Sequence, residues 1–126
     1  MEMEEIFKAL EKSLQRLEEV LKAEKTVINR DAAIQRFEFT VELAWKCAQK
    51  FLRSKEIICR SPKDCLQEAF KIGLIKDSEL WLKMFQDRNL TVHTYNEKTA
   101  EEIYGRLAGY LGILNDLNKN IKSSQI

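Results

Sequence analysis

The chain has 126 residues, 44% of them apolar and 33% charged, which suits one domain with its own core and argues against disorder. Only 4 Gly and 1 Pro occur, which argues against a turn-rich β-sandwich or barrel and favours helices. A formal net charge of +1 exerts no global pull toward nucleic acid or a membrane surface, so any RNA or nucleotide site has to be local.

The first predicted helix spans about Met3 to Glu24. Ile6, Phe7, Leu10, Leu14, Leu17 and Leu21 recur at helical spacing, and Glu4, Glu11, Lys12, Glu18 and Lys22 fall largely on the other side. Asn29 is the expected N-cap of a second helix from about Arg30 to Ser54, with Asp31 in its first turn. This second helix carries two apolar stripes. Phe37, Val41, Ala44, Ala48 and Phe51 form one, and Phe39, Leu43 and Cys47 form another. One stripe suffices to face a core. Two imply burial on two sides, either within the domain or against a second subunit, and a homodimer is the expectation adopted here.

Ser61-Pro62 opens a third helix, with Ser as N-cap, Pro at the first helical position and Asp64 in the first turn. Its expected apolar side is Cys65, Leu66, Ala69, Phe70 and Ile72, and Gly73 can close it in a left-handed cap. Asp77 caps a fourth segment running to about Leu90, with Leu80, Trp81, Met84 and Phe85 as its buried side. Asn96 caps a last helix from about Glu97 to Lys122, facing inward with Ala100, Ile103, Tyr104, Leu107, Leu111, Leu114, Leu117 and Ile121. The tail from Lys122 is expected to fray. Short connections between such helices predict an all-α, up-and-down antiparallel bundle, a single domain over residues 1–126.

The three cysteines, Cys47, Cys59 and Cys65, form no Cys-x-x-Cys pair, and their odd count argues against a disulfide framework. With a single His in the chain, no zinc site and no cofactor are expected. The start Met1-Glu2-Met3-Glu4-Glu5 has the wrong charge for a signal peptide, and no apolar run approaches the ~20 residues of a membrane span. The expected setting is the cytoplasm, with reduced thiols.

The densest polar stretch is Asp87-Arg88-Asn89-Leu90-Thr91-Val92-His93-Thr94-Tyr95-Asn96. It joins a helix end to a helix start, where backbone N–H groups favour a phosphate. Arg88 can grip a phosphate through paired hydrogen bonds. Histidine exchanges a proton near neutral pH. Arg plus His suffices, without metal, for cleavage of RNA by its own 2′-hydroxyl: one group accepts the proton, a cation stabilises the added charge, and an acid protonates the leaving 5′-oxygen. One His per chain supplies one proton-transfer role; a symmetric dimer supplies two. Against this, an Arg five residues before a His arises by chance, and a His at a helix end more often caps or meets the dipole.

A second constellation is Arg36-Phe-Glu-Phe-Thr-Val-Glu-Leu-Ala-Trp-Lys46. Arg36 and Thr40 share one face; Glu38, Glu42 and Lys46 share another. The plain reading is a solvated edge. The functional reading puts Arg36 or Glu38 beside the cleft of Arg88 and His93. No phosphate loop, dinucleotide fingerprint or nucleophile elbow is present, so the chain is not itself expected to transfer nucleotides.

Together the two constellations resemble the nucleotidyltransferase substrate-binding protein family, a branch of the HEPN (higher eukaryotes and prokaryotes nucleotide-binding) superfamily. The resemblance implies a homodimeric helical bundle and a partner, a separate minimal nucleotidyltransferase encoded nearby. It implies RNA or a nucleotide as ligand and no membrane. Related HEPN proteins are toxins of two-gene toxin–antitoxin systems whose Arg-x4-His pair cleaves RNA and whose nearby Tyr is silenced by AMPylation. On this pattern Arg88 and His93 are catalytic and Tyr95 is modified, with Arg36, Glu38, Asn89 and Asn96 as further binding candidates. The alternative is a non-catalytic subunit that binds substrate for the partner enzyme.

Overall fold

The structure, a computed structural model, describes residues 3–124. It contains five α-helices: α1 (Met3–Lys22), α2 (Val27–Ser54), α3 (Pro62–Lys71), α4 (Ser78–Leu90) and α5 (Glu97–Ser123), with a 3-10 turn, Thr91–His93, between α4 and α5. Among the described residues there is no strand, and no helix is long and apolar enough to cross a membrane. The all-α bundle expected from periodicity is the fold observed.

Cross-helix contacts give the directions. Ser13 meets Thr40, and the Cys47 thiol donates to the Ile6 carbonyl, so α1 and α2 run antiparallel. Lys25 reaches Glu101 while Lys122 reaches Glu11, so α1 is antiparallel to α5 as well. Arg30 pairs with Glu97 and Phe37 stacks on Tyr110, so α2 and α5 run the same way. The helix α4 packs on α5, and α3 bridges α2 and α4.

The apolar faces fill the centre as the spacing required. Leu10, Leu14 and Leu17 of α1, Phe37, Val41 and Ala44 of α2, and Ile103, Leu107, Leu114 and Leu117 of α5 are all buried. Burial of such side chains contributes about 1.5–3 kcal/mol each, which is what orders helices of otherwise modest intrinsic stability.

Several boundaries differ from expectation. The N-cap of α2 is Thr26, not Asn29: Thr26 is extended and its hydroxyl accepts from the Asn29 N–H. Asn29 lies inside the first turn, and its amide donates back to the Glu24 carbonyl. Both types cap well; the earlier position wins here because α1 stops at Lys22 and leaves room for another turn. The α3 cap is as expected. Ser61 accepts from the Asp64 N–H and Asp64 accepts from the Arg60 N–H, a reciprocal capping pair. Gly73 adopts a left-handed φ of 76° after α3. Its N–H donates to Phe70 and that of Leu74 to Ala69, the paired bonds of a Schellman close. Phe70 and Ile72, expected inside, are exposed because α3 is short and covers only one side of α2. The helix α5 continues to Ser123, capped by Ser124. Lys122 and Ser123 are therefore helical rather than frayed, and the last two positions of the expected tail, 125–126, lie outside the described residues.

The reduced-thiol expectation is corrected for two of the three cysteines. Cys59 and Cys65 form a disulfide across the loop into α3, with Cα atoms 5.0 Å apart, and Cys47 is free and buried. A six-residue separation carried no pairing signal in the sequence. The turn before α3 brings the two side chains together, and burial of both shields the bond from reductants.

Candidate functional site

The polar stretch 88–96 folds as the end of α4, one 3-10 turn and the cap of α5. Local bonds fix it. The Thr91 hydroxyl donates to the Arg88 carbonyl, the Thr94 hydroxyl donates to the Thr91 carbonyl, and the Asn96 N–H donates to the His93 carbonyl. Thr91 is buried, so the turn is anchored from beneath.

Arg88 leaves the last turn of α4 toward α2, where its guanidinium meets Glu42 at 3.6 Å. That is an ion-pair contact, longer than a hydrogen bond. The Arg88 side chain is 35% exposed, and its buried Nε–H has no protein acceptor. Glu42 therefore balances the charge of Arg88 without a hydrogen bond, and the exposed part of the guanidinium can still donate to an oxyanion. Glu42 also meets Lys46 at 3.5 Å, the i,i+4 pair expected on α2.

His93 ends the 3-10 turn and is exposed. Its Nδ1 lies 3.4 Å from the Tyr95 hydroxyl, and the rings meet edge to face with centroids 5.9 Å apart. Tyr95 is 82% exposed. The remaining candidates divide. Arg36 donates to the Arg16 carbonyl and lines a groove of about 670 Å³ between α1 and α2, together with Lys12, Phe39 and Glu42. Glu42 thus belongs both to that groove and to the Arg88 ion pair, where the sequence reading put Arg36 or Glu38; Arg36 shares the groove, and the carboxylate that meets Arg88 is that of Glu42. Asn89 is exposed. The Asn96 side chain caps α5, accepting from the Thr99 N–H, so its oxygen is already engaged.

The second apolar stripe of α2 grades outward. Cys47 is buried, Leu43 is half-buried in the groove wall, and Phe39 is 56% exposed. Leu90 and Val92, on either side of Thr91, are exposed too.

Sequence reasoning missed a buried cluster directly behind the site. Asp87, 4% exposed at its side chain, accepts two bonds from Arg106 at 2.7 and 2.9 Å and one from the Tyr110 hydroxyl at 2.5 Å. Burial alone pushes the Asp87 carboxyl up, but the Arg106 fork and the Tyr110 hydroxyl outweigh it and hold the group below the usual range. Burial and the same carboxylate push the Tyr110 phenol up. Tyr110 stacks on Phe37, with centroids 5.6 Å apart. The signal was present: Asp87 continues the Met84 face of α4, and Tyr110 lies in phase with Ile103, Leu107 and Leu114. A buried arginine holds the other side of the stretch. Arg30 bonds Glu97 and Glu101 in the first turns of α5, and these bonds keep it charged against the cost of burial.

Family comparison decides what this arrangement belongs to. The model of a family described as nucleotidyltransferase substrate binding protein like matches residues 5–123. The chain belongs to that family. A crystal structure of a protein from Thermus thermophilus superposes with a TM-score of 0.85 at 42% identity, covering 89% of this chain and 98% of that one. A second, from Haemophilus influenzae, is described as revealing the fold of a substrate binding domain of a nucleotidyltransferase. It superposes with a TM-score of 0.71 at 26% identity, over 95% of this chain and 96% of that one. A curated relative from Haemophilus influenzae, named probable ribonuclease HepT, is 36% identical over 84 residues. That match takes in 63% of this chain and 58% of the relative, so under two-thirds of the relative's length is spanned. The family resemblance read from the two motifs is the one found.

Proposed function

We propose that this family member is a metal-independent endoribonuclease subunit of a two-component system, partnered by a separate nucleotidyltransferase in the cytoplasm. The observation that carries the reading is the state of Arg88: charge-balanced by Glu42 across a contact too long for a hydrogen bond, at the end of the helix that leads into the turn of the chain's one histidine. The name of the HepT relative is consistent with it.

In the reaction the ribose 2′-oxygen attacks phosphorus and the 5′-oxygen departs, leaving a 2′,3′-cyclic phosphate. Arg88 receives the non-bridging oxygens, whose charge grows in the transition state. His93 transfers one proton, either from the 2′-hydroxyl or to the 5′-oxygen. The second transfer falls to the histidine of a second copy. Exposed Leu90 and Val92, between Arg88 and His93 in the chain, and exposed Phe39 in the groove that Glu42 lines, support a dimer that joins the two motifs. Tyr95 is the regulatory acceptor. Its hydroxyl oxygen bonds to the α-phosphorus of ATP, pyrophosphate leaves, and the phenolic proton passes to a base of the transferase. The added phosphate then sits beside His93 and repels an RNA phosphate.

The test is cleavage of end-labelled RNA in EDTA by protein whose mass shows Tyr95 unmodified. Wild type should cut, leaving cyclic phosphate ends, and His93→Ala should be slower by about 10²–10⁴-fold. Mixed dimers of wild type with His93→Ala should be far less than half as active as wild type if the site is shared, because each site then lacks one of its two histidines. No cutting over a range of RNAs would instead favour a non-catalytic subunit that binds substrate for the transferase, the reading in keeping with the family description.

A further inference from the structure

We propose that the buried Asp87–Arg106–Tyr110 cluster is a positioning device that aims Arg88 at the RNA phosphate; this rests on the role of Arg88 proposed above. Asp87 and Arg88 are consecutive on α4, so their side chains leave the helix about 100° apart. Asp87 points to α5, where Arg106 and Tyr110 hold it by three hydrogen bonds. Arg88 points to α2, where one 3.6 Å ion-pair contact is its tie and its Nε–H has no partner. Arg88 is thus weakly held at its tip, and its direction is set by the rotation of the last α4 turn. Asp87 locks that rotation.

The lock closes on itself. Tyr110 stacks on Phe37 of α2, and Glu42, the ion-pair partner of Arg88, lies on the same helix. The path from Phe37 through Tyr110, Asp87 and Arg88 to Glu42 returns to α2, so the three helices cannot slide past one another without breaking it. A bidentate guanidinium–carboxylate pair supplies geometric specificity that a single contact lacks. The other end of the stretch is built differently. There Glu97, directly after Asn96, is bonded by Arg30, but its side chain is largely exposed. That asymmetry provides a control.

The experiment compares wild type, Asp87→Asn, Arg106→Lys and Glu97→Gln at a temperature where circular dichroism shows each folded. Two quantities are read: RNA cleavage kinetics, and the Arg88 Nε–H signal in a ¹⁵N-resolved spectrum, assigned by its loss in Arg88→Lys. Asp87→Asn should lower kcat at least tenfold, leave KM within about twofold, and move or broaden the Arg88 signal. Arg106→Lys, which keeps the charge and loses the fork, should do the same to a smaller degree. Glu97→Gln should change kcat less than twofold and leave the signal in place. A folded Asp87→Asn protein with wild-type kcat and an unmoved Arg88 signal overturns the proposal. If Asp87→Asn does not fold, Arg106→Lys decides in its place, and wild-type kcat with an unmoved signal in that variant overturns the proposal equally. If wild type cuts no RNA, the ribonuclease reading fails by itself, and the Arg88 signal still decides whether Asp87 positions that side chain.

Discussion

Tyr110→Phe removes one oxygen from the buried cluster around Asp87. The Tyr110 hydroxyl donates to Asp87 Oδ2, and the ring stacks on Phe37. Phe keeps the stack and loses the bond. A hydrogen bond to a charged acceptor contributes about 1.5–3 kcal/mol. The lower half of that range applies, because Arg106 Nε still donates to the same oxygen at 2.7 Å and the carboxylate is not left bare. For a domain of this size the loss corresponds to a fall of roughly 6–8 °C in Tm at pH 7. Urea unfolding should show a lower midpoint with an unchanged m value. The pH dependence adds a second check. The folded-state pKa of Asp87 is depressed, so the stability it contributes is complete above its unfolded value near ~3.9 and is lost as pH falls through the depressed value. The gap between wild type and Tyr110→Phe should therefore stay constant from about pH 8 to 5 and shrink only as acid protonates the folded-state Asp87 carboxylate. A fall of less than 2 °C at pH 7, judged against the ~6–8 °C expected, or a gap that already changes between about pH 8 and 5, would refute the reasoning.

Other expectations are simpler. Burial pushes the Cys47 thiol up to about 12, so iodoacetamide at pH 8 should label it only on unfolding, as intact mass with and without urea will show. Cys59→Ser opens the small loop closed by the disulfide and should cost roughly 2 kcal/mol by loop-closure entropy, read from chemical unfolding. Thr26→Ala should lower stability by about 1 kcal/mol if Thr26 is the cap of α2, again read by urea titration. Gly73→Ala meets open space but keeps a left-handed backbone, so a loss of about 1 kcal/mol without any packing defect is expected in the same assay.

Local information settled a good deal. Period-3.6 apolar spacing determined that α1, α2 and α5 exist and which of their faces turn inward, because an amphipathic stripe has one way to leave water. Ser61, Asp77 and Asn96 marked helix starts, and Gly73 a helix end, because capping is a matter of neighbouring backbone groups. Arg88, His93 and Tyr95 were legible as candidates because one short polar stretch of sequence carries them all. What tertiary structure decided were relations between distant segments. The carboxylate that meets Arg88 across the bundle is Glu42, a pairing that spacing along α2 alone did not single out from Arg36 or Glu38. The Asp87–Arg106–Tyr110 cluster joins residues 19 and 23 positions apart, and a charge in phase with an apolar face reads as a surface group until its partner is known. The Cys59–Cys65 bond depends likewise on the turn before α3. Spacing along one helix is local physics; which side chain finds a partner across the bundle is set by how the helices pack.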